Sequence, residues 1–210
     1  MKKVLFILTA ISIMFNSYAA SRNFTFQGFV PNSATEQTKV IDKKIGDNIS
    51  YPVFEGNTKL IKTLNKEVDK LLLKYKRRAE NHIVLYNIQA DNSYFKSIIF
   101  TILRINTQTK EVENIEYSTI NVDTKTGSTL NLSDLFVSGY EDAFNGAIKE
   151  RMQQFGLQAI PNFKGVTRNQ PFYLTDTTVT VIFNKGQATQ TGDKIAFLPF
   201  VIQELVGIIK

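Results

Sequence analysis

The chain has 210 residues, of which 43% are hydrophobic and 21% are charged, as is typical of a globular protein with one sizeable domain or two small ones. It contains no cysteine, which excludes a disulfide framework, a thiolate nucleophile and a cysteine-ligated metal site. The formal net charge is +6, and the single histidine excludes a zinc centre that needs several histidine ligands.

The first twenty residues follow the pattern of a secretory signal peptide. Met1 to Lys3 is basic, Val4 to Phe15 is almost wholly apolar, and the small residues Ser17 and Ala19 follow. The apolar run is shorter than the roughly 20 residues that span a bilayer. We therefore predict a signal peptide over residues 1–19, a periplasmic or extracellular mature protein, and no transmembrane span after cleavage. A buried N-terminal helix is the alternative for this segment.

An N-terminal extension of polar, mixed composition covers residues 20–48. Three loosely alternating phenylalanines predict a short strand in it, namely Phe24, Phe26 and Phe29. Val40 to Ile45 and Ile49 to Phe54 are predicted to be further strands. Pro52 would confine the second of these to a sheet edge or a strand start, because proline has no N–H to donate.

A helical period begins at Thr58 and continues to about Arg78, with Asn57 as the predicted N-cap. Its apolar stripe consists of Leu60, Leu64, Val68, Leu71 and Tyr75. The opposite face carries lysines at i, i+4 spacing, followed by two arginines: Lys62, Lys66, Lys70, Lys74, Arg77 and Arg78. The segment from Lys59 to Glu80 has eight basic and three acidic residues, a net charge of +5, whereas the rest of the mature chain sums to −1.

This basic row is the predicted binding site. An anionic partner, such as a polymer phosphate, a lipid headgroup or an acidic protein, would complement it. The alternative is a solvated helix face that Glu67, Asp69 and other acids partly balance. Nucleic acid is not expected as a partner of an exported protein.

Strand patterns follow the helix, over His82–Ala90, Tyr94–Ile105 and Val112–Asp123. The middle one is apolar on both parities, as is typical of a central strand. Asp123 to Gly127 is predicted to be a turn with a positive φ at the glycine, and Ser128 to Leu132 a short strand. Successive strands of this kind favour an antiparallel β-meander.

The last third of the chain predicts a second helix and a hairpin. Ser138 to Glu141 has a capping-box pattern, and Gly156 is the predicted stop of the helix that it opens. One face of that helix carries Tyr140, Phe144, Ala147, Ile148, Met152 and Phe155. The predicted hairpin and final strand are Pro171–Leu174, Thr178–Phe183 and Ile195–Phe200. The expected fold class is α+β, an antiparallel β-meander sheet packed by two main helices.

Groups for catalysis are sparse. A Ser-His-Asp triad would have to use His82, and no nucleophile-elbow pattern or glycine-rich phosphate loop accompanies it. Carboxylate pairs such as Glu141 with Asp142, or Asp123 with Asp134, leave a glycosidase as an alternative. We expect no catalytic residue, no metal site and no cofactor.

Three stretches carry a family resemblance, namely Ile49–Gly56, Tyr117–Phe136, and Pro171–Thr175 together with Val179–Phe183. The most specific part is Asp-Thr-Lys-Thr-Gly at 123–127 followed by Leu-Ser-Asp-Leu-Phe at 132–136. The chain from about Ile49 to Phe200 resembles the paired extracellular domains of unknown function in the RsiV anti-sigma factor ectodomain and in the N-terminal half of the PdaC peptidoglycan deacetylase.

The resemblance implies an α+β extracellular module over residues 49–210, with a first part at 49–110 and a second at 111–210. In the RsiV branch such a module recognises lysozyme, and in the PdaC branch it accompanies a separate deacetylase domain. We therefore predict a non-enzymatic, exported binding module of the bacterial cell envelope. Its expected partner is an envelope protein, a lysozyme-like protein or an anionic cell-wall polymer. The alternative is a cell-wall glycan-modifying enzyme or its accessory subunit.

The signal peptide predicts one cleavage product. Because Ser17 and Ala19 fit the small pockets of a signal peptidase, N-terminal sequencing of the exported protein should begin at Ala20. Recovery of intact Met1 in the exported fraction would contradict this.

Overall fold

The computed structural model of the protein describes residues 24–30, 38–190 and 195–210. The predicted signal peptide, residues 1–19, lies outside these ranges, so its cleavage stays a prediction. Within them, no helix is long and apolar enough to cross a membrane.

Two α-helices and nine strands are present in the described ranges. The helices are α1 (Lys59–Leu72) and α2 (Glu141–Gln154). The strands are β1 (Val40–Ile45), β2 (Ile49–Phe54), β3 (His82–Asp91), β4 (Phe95–Ile105), β5 (Val112–Asp123), β6 (Ser128–Thr129), β7 (Phe172–Leu174), β8 (Thr178–Phe183) and β9 (Ala196–Val201). Short 3-10 helices lie at Lys76–Arg78, Leu132–Leu135 and Ile202–Leu205.

The main sheet has six strands in the order β1-β2-β3-β4-β5-β6. Its neighbours pair antiparallel except β2 and β3, which pair parallel at Ile49 and Val84. The expected α+β class is confirmed, with a sheet that is mostly antiparallel. The prediction from Pro52, a sheet edge or a strand start, is wrong, since β2 lies between β1 and β3 and Pro52 is its fourth residue. Pro52 is tolerated there because it lies beyond the single residue pair that joins β2 to β3.

Alternating side chains along β4 divide the main sheet into two faces. Ile98, Phe100 and Ile102 belong to the core beneath α1. Phe95, on the opposite parity, belongs to a second core that also contains residues of α2. β4 is therefore buried on both faces, as predicted for a central strand.

The predicted apolar stripe of α1 packs on the first face. Its central residues Leu64, Val68 and Leu71 are all buried, and Leu64 is completely so. The N-cap is Thr58 rather than the predicted Asn57. The Thr58 hydroxyl oxygen accepts a hydrogen bond from the Ile61 N–H at 3.3 Å, which satisfies one of the free amides of the first turn.

A second, three-stranded antiparallel sheet, in the order β7-β8-β9, packs with α2. The predicted core residues Phe144, Ile148 and Met152 are buried, but Phe155 is 49% exposed. The predicted capping box at Ser138–Glu141 does not form, because α2 begins with Tyr140 as an N-cap that makes no side-chain bond. Tyr140 instead stacks on Phe136, with ring centroids 4.5 Å apart.

Residues 24–30 form a turn, so the early strand predicted there is wrong. Phe24 and Phe26 both pack against Phe95, with ring centroids 6.4 and 6.0 Å away. Residues at i and i+2 also share one face of a strand, so the spacing of the two rings could not by itself distinguish a strand from this turn.

Hydrogen bonds from side chains of the main sheet hold β7 in place. The Ser97 hydroxyl donates to Asn121 Oδ1 at 2.6 Å and accepts from the Leu174 N–H at 2.9 Å. The Asn121 amide donates to the Phe172 carbonyl at 2.7 Å. Ser97 and Asn121 are both buried, so these bonds fix β7 against β4 and β5 without competition from water.

The buried stripe of α1 predicts a large stability loss on truncation. Leu64→Ala removes fully buried methyl groups and leaves a cavity, so the free energy of unfolding should fall by about 2–5 kcal/mol. Leu73→Ala, at the end of the same helix, is the matched control, because Leu73 is 68% exposed. Urea denaturation measures both, and a Leu64→Ala midpoint equal to that of the control would contradict the packing.

Candidate functional site: the basic surface of α1

The six residues predicted to bind an anionic partner are all exposed. We call them the basic surface: Lys62, Lys66, Lys70, Lys74, Arg77 and Arg78. They lie on the side of α1 that faces away from the main sheet, or just after its end. Lys62, Lys66 and Lys70 share that side of α1, whereas Lys74, Arg77 and Arg78 follow its end.

The basic surface is not one continuous helix. The predicted helix to Arg78 is too long, since α1 ends at Leu72. Lys62, Lys66 and Lys70 project from α1 over about 12 Å at 1.5 Å per residue. Lys74 follows the helix end, and the two arginines lie in the separate 3-10 turn Lys76–Arg78.

The helix ends because the chain turns inward at Tyr75. The hydrogen bonds there span three residues, which is the tighter 3-10 pattern. The Tyr75 N–H donates to the Leu72 carbonyl at 2.9 Å, and the Arg78 N–H donates to the Tyr75 carbonyl at 2.8 Å. The Tyr75 ring packs against His82, with centroids 5.4 Å apart. Burial raises the pKa of Tyr75, and the negative charge of Glu116 raises it further, so the phenol stays neutral beside the arginines.

His82 has a structural role at this turn. It is buried at the start of β3, and its Nδ1 lies 3.1 Å from the Arg78 carbonyl and 2.7 Å from Asn81 Oδ1. Two acceptors at this nitrogen favour the tautomer with a proton on Nδ1. The histidine thus ties the turn that carries the arginines to the main sheet.

Little of the positive charge on the basic surface is neutralised. Lys70 Nζ lies 3.4 Å from Glu67 Oε2, and both groups remain solvated, so this pair is weak. Asp69 is exposed nearby. Within the described ranges, no side chain forms a hydrogen bond or an ion pair with Lys62 or Lys66. These two ammonium groups are available to an external anion.

The stretches that carry the family resemblance hold α1 in position. Asn65 accepts from the Phe54 N–H at 2.9 Å and donates to the Phe54 carbonyl at 2.8 Å, which fixes the helix to β2. The Thr63 hydroxyl donates to the Gly127 carbonyl at 2.7 Å. Gly127 has φ +63°, and a Cβ there would lie 2.8 Å from the Leu60 nitrogen, so only glycine fits.

The candidate catalytic carboxylates serve local structure. Asp123 accepts from the Lys125 N–H at 2.8 Å and from the Thr126 hydroxyl at 2.7 Å within its own turn. Asp134 closes a capping box by accepting from the Asn131 N–H at 2.7 Å. Glu141 and Asp142 are exposed on the first turn of α2. The described residues contain no group of three or more His, Asp or Glu that could hold a metal ion.

An apolar surface that the sequence pattern did not reveal lies on the other side of the main sheet. It is formed by four aliphatic residues that face the same way as Ser97: Ile83, Leu85, Leu103 and Ile115. Leu85 is 48% exposed and the other three are half-buried. We call it the apolar sheet surface. Where these residues lie, β3 and β4 are apolar at both odd and even positions, so sequence alone could not show which residues stay uncovered.

A further apolar cleft, of about 380 Å³, lies between residues 24–30 and the C-terminal residues. Phe29, Ile202 and Ile209 form part of its wall. Val206, at its rim, is 80% exposed. No charged pair or cluster of titratable groups converges on it among the lining residues, so the structure assigns it no chemistry.

Comparison with known proteins places the fold. No protein-family model matches the chain, and no curated protein matches it. A crystal structure of a DUF3298 family protein from Pseudomonas aeruginosa PAO1 is similar over 85% of this chain and 96% of that chain, with a TM-score of 0.59 and 16% identity. A member of the same family from Bacteroides fragilis is similar over 86% and 96%, with a TM-score of 0.56 and 12% identity. At such identities the likeness shows the fold alone, which is that of DUF3298 family proteins.

Proposed function

We propose that this protein is an exported, non-enzymatic binding module of the bacterial cell envelope that recognises an anionic envelope component through its basic surface. The observation that carries the proposal is the exposed, largely unneutralised row of Lys62 and Lys66 with its basic neighbours. A surface of one charge sign raises the local concentration of a partner of the opposite sign and speeds its association.

The way in which α1 is held supports a binding role. The helix is fixed through the half-buried side chains of Asn65 and Thr63, so the lysines are presented from a rigid base. A rigid presentation lowers the entropy that is lost when a partner binds. The N-terminal signal pattern and the resemblance to the extracellular domains of RsiV and PdaC support an envelope location.

Removal of the charge tests the proposal. Lys62, Lys66, Lys70 and Lys74 are changed together to Gln, and binding of the mature protein to isolated cell envelopes is measured by sedimentation. We expect binding to weaken by about tenfold or more, since exposed charge pairs each contribute roughly 0.2–1 kcal/mol. Binding of the parent should also fall as salt rises, because exposed charges are screened beyond about 10 Å at 0.1 M.

The matched control changes four exposed lysines elsewhere to Gln: Lys43, Lys44, Lys149 and Lys164. It alters the net charge equally, so it should keep most of the binding if position matters. Envelope binding that is unchanged by salt and by both sets of substitutions would refute an electrostatic site. It would instead favour a protein partner at the apolar sheet surface.

A further inference from the structure

One exposed apolar side chain, that of Leu73, lies next to the basic surface. Leu73 is the C-cap residue of α1 and is 68% exposed. Its φ of −55° and ψ of −28° continue the helical geometry. At about 100° per residue, the directions of Lys62, Lys66 and Leu73 differ by no more than about 40°. The leucine therefore projects from the same side of the helix as the two unneutralised lysines.

We propose that the anionic component is a lipid bilayer surface, on which the lysines contact headgroups while Leu73 inserts between them. This inference rests on the proposed function, since it names the partner of the same site. Binding of a peripheral surface to a membrane strengthens with the apolar area that enters the interface and with the attraction of basic residues to anionic lipids. An acidic polymer in water would attract the lysines equally well but would offer Leu73 no apolar environment.

The chain itself offers a matched comparison for Leu73. Leu85 is also an exposed leucine, but it lies on β3, on the face of the main sheet opposite α1. A single exposed leucine is ordinary on a protein surface. Only the position of Leu73 among uncompensated lysines distinguishes it, and the comparison with Leu85 tests that position.

Insertion can be observed directly, because the chain contains no tryptophan. Leu73→Trp and Leu85→Trp each introduce a single tryptophan, whose emission can be excited apart from that of the tyrosines. Each is mixed with vesicles of equal parts phosphatidylglycerol and phosphatidylcholine, and with vesicles of phosphatidylcholine alone. We expect a blue shift of the emission only for Leu73→Trp with the anionic vesicles, because the indole would leave water there.

Binding of the otherwise unchanged mature protein completes the test. Sedimentation with the anionic vesicles should weaken about fivefold or more for Leu73→Ala, and remain at the parental level for Leu85→Ala. Circular dichroism of both variants checks that they fold.

No vesicle binding, or vesicle binding without an emission shift of the tryptophan introduced at position 73, would overturn the inference. If envelopes or isolated cell walls still bind in a lysine-dependent way, the proposed function survives that failure; loss of all lysine-dependent binding would remove both.

Discussion

Two buried polar side chains, Ser97 and Asn121, hold the second sheet on the main sheet. Between them they satisfy the Leu174 N–H and the Phe172 carbonyl, backbone groups that would otherwise be buried without partners. Apolar packing alone fixes such a contact only loosely, because it has no direction. A misplaced β7 would leave several polar groups unpaired in a dry interface, and each would cost about 1–3 kcal/mol. The hydrogen bonds thus set where α2 and its core lie.

With one face of the main sheet occupied in this way, the other face is covered by α1. The contacts of Asn65 with Phe54 and of Thr63 with Gly127 hold that helix in place. The residues that carry the family resemblance therefore serve the framework, whereas the basic surface lies outside those stretches. The basic surface is thus separate from the residues that fix the framework, and the shared fold does not by itself determine the partner.

The hydrophobic periodicity of the sequence and its turn-forming residues predicted most of the framework. The strands β1 to β5, the hairpin of β7 and β8, and the buried stripe of α1 follow from local patterns. The end of α1 did not, because it depends on the contact between Tyr75 and His82. His82 belongs to another element, β3, so the local pattern around Tyr75 could not predict that contact. The strand predicted around Phe24 was wrong for a similar reason. Phe24 packs against Phe95, which belongs to β4 and not to a neighbouring stretch of the sequence. The basic residues were predicted, but the exposure of Leu73 was not, because it depends on where the helix ends.

The most direct test of this account is the stability of Asn121→Ala. The substitution leaves the Phe172 carbonyl and the Ser97 hydroxyl without their partner, so urea denaturation should show a loss of about 1–3 kcal/mol or more. Asn87→Ala, at an exposed position on β3, is the control and should change the unfolding free energy by less than about 0.5 kcal/mol. Equal unfolding midpoints for the two variants would contradict the claim that this polar contact joins the two sheets.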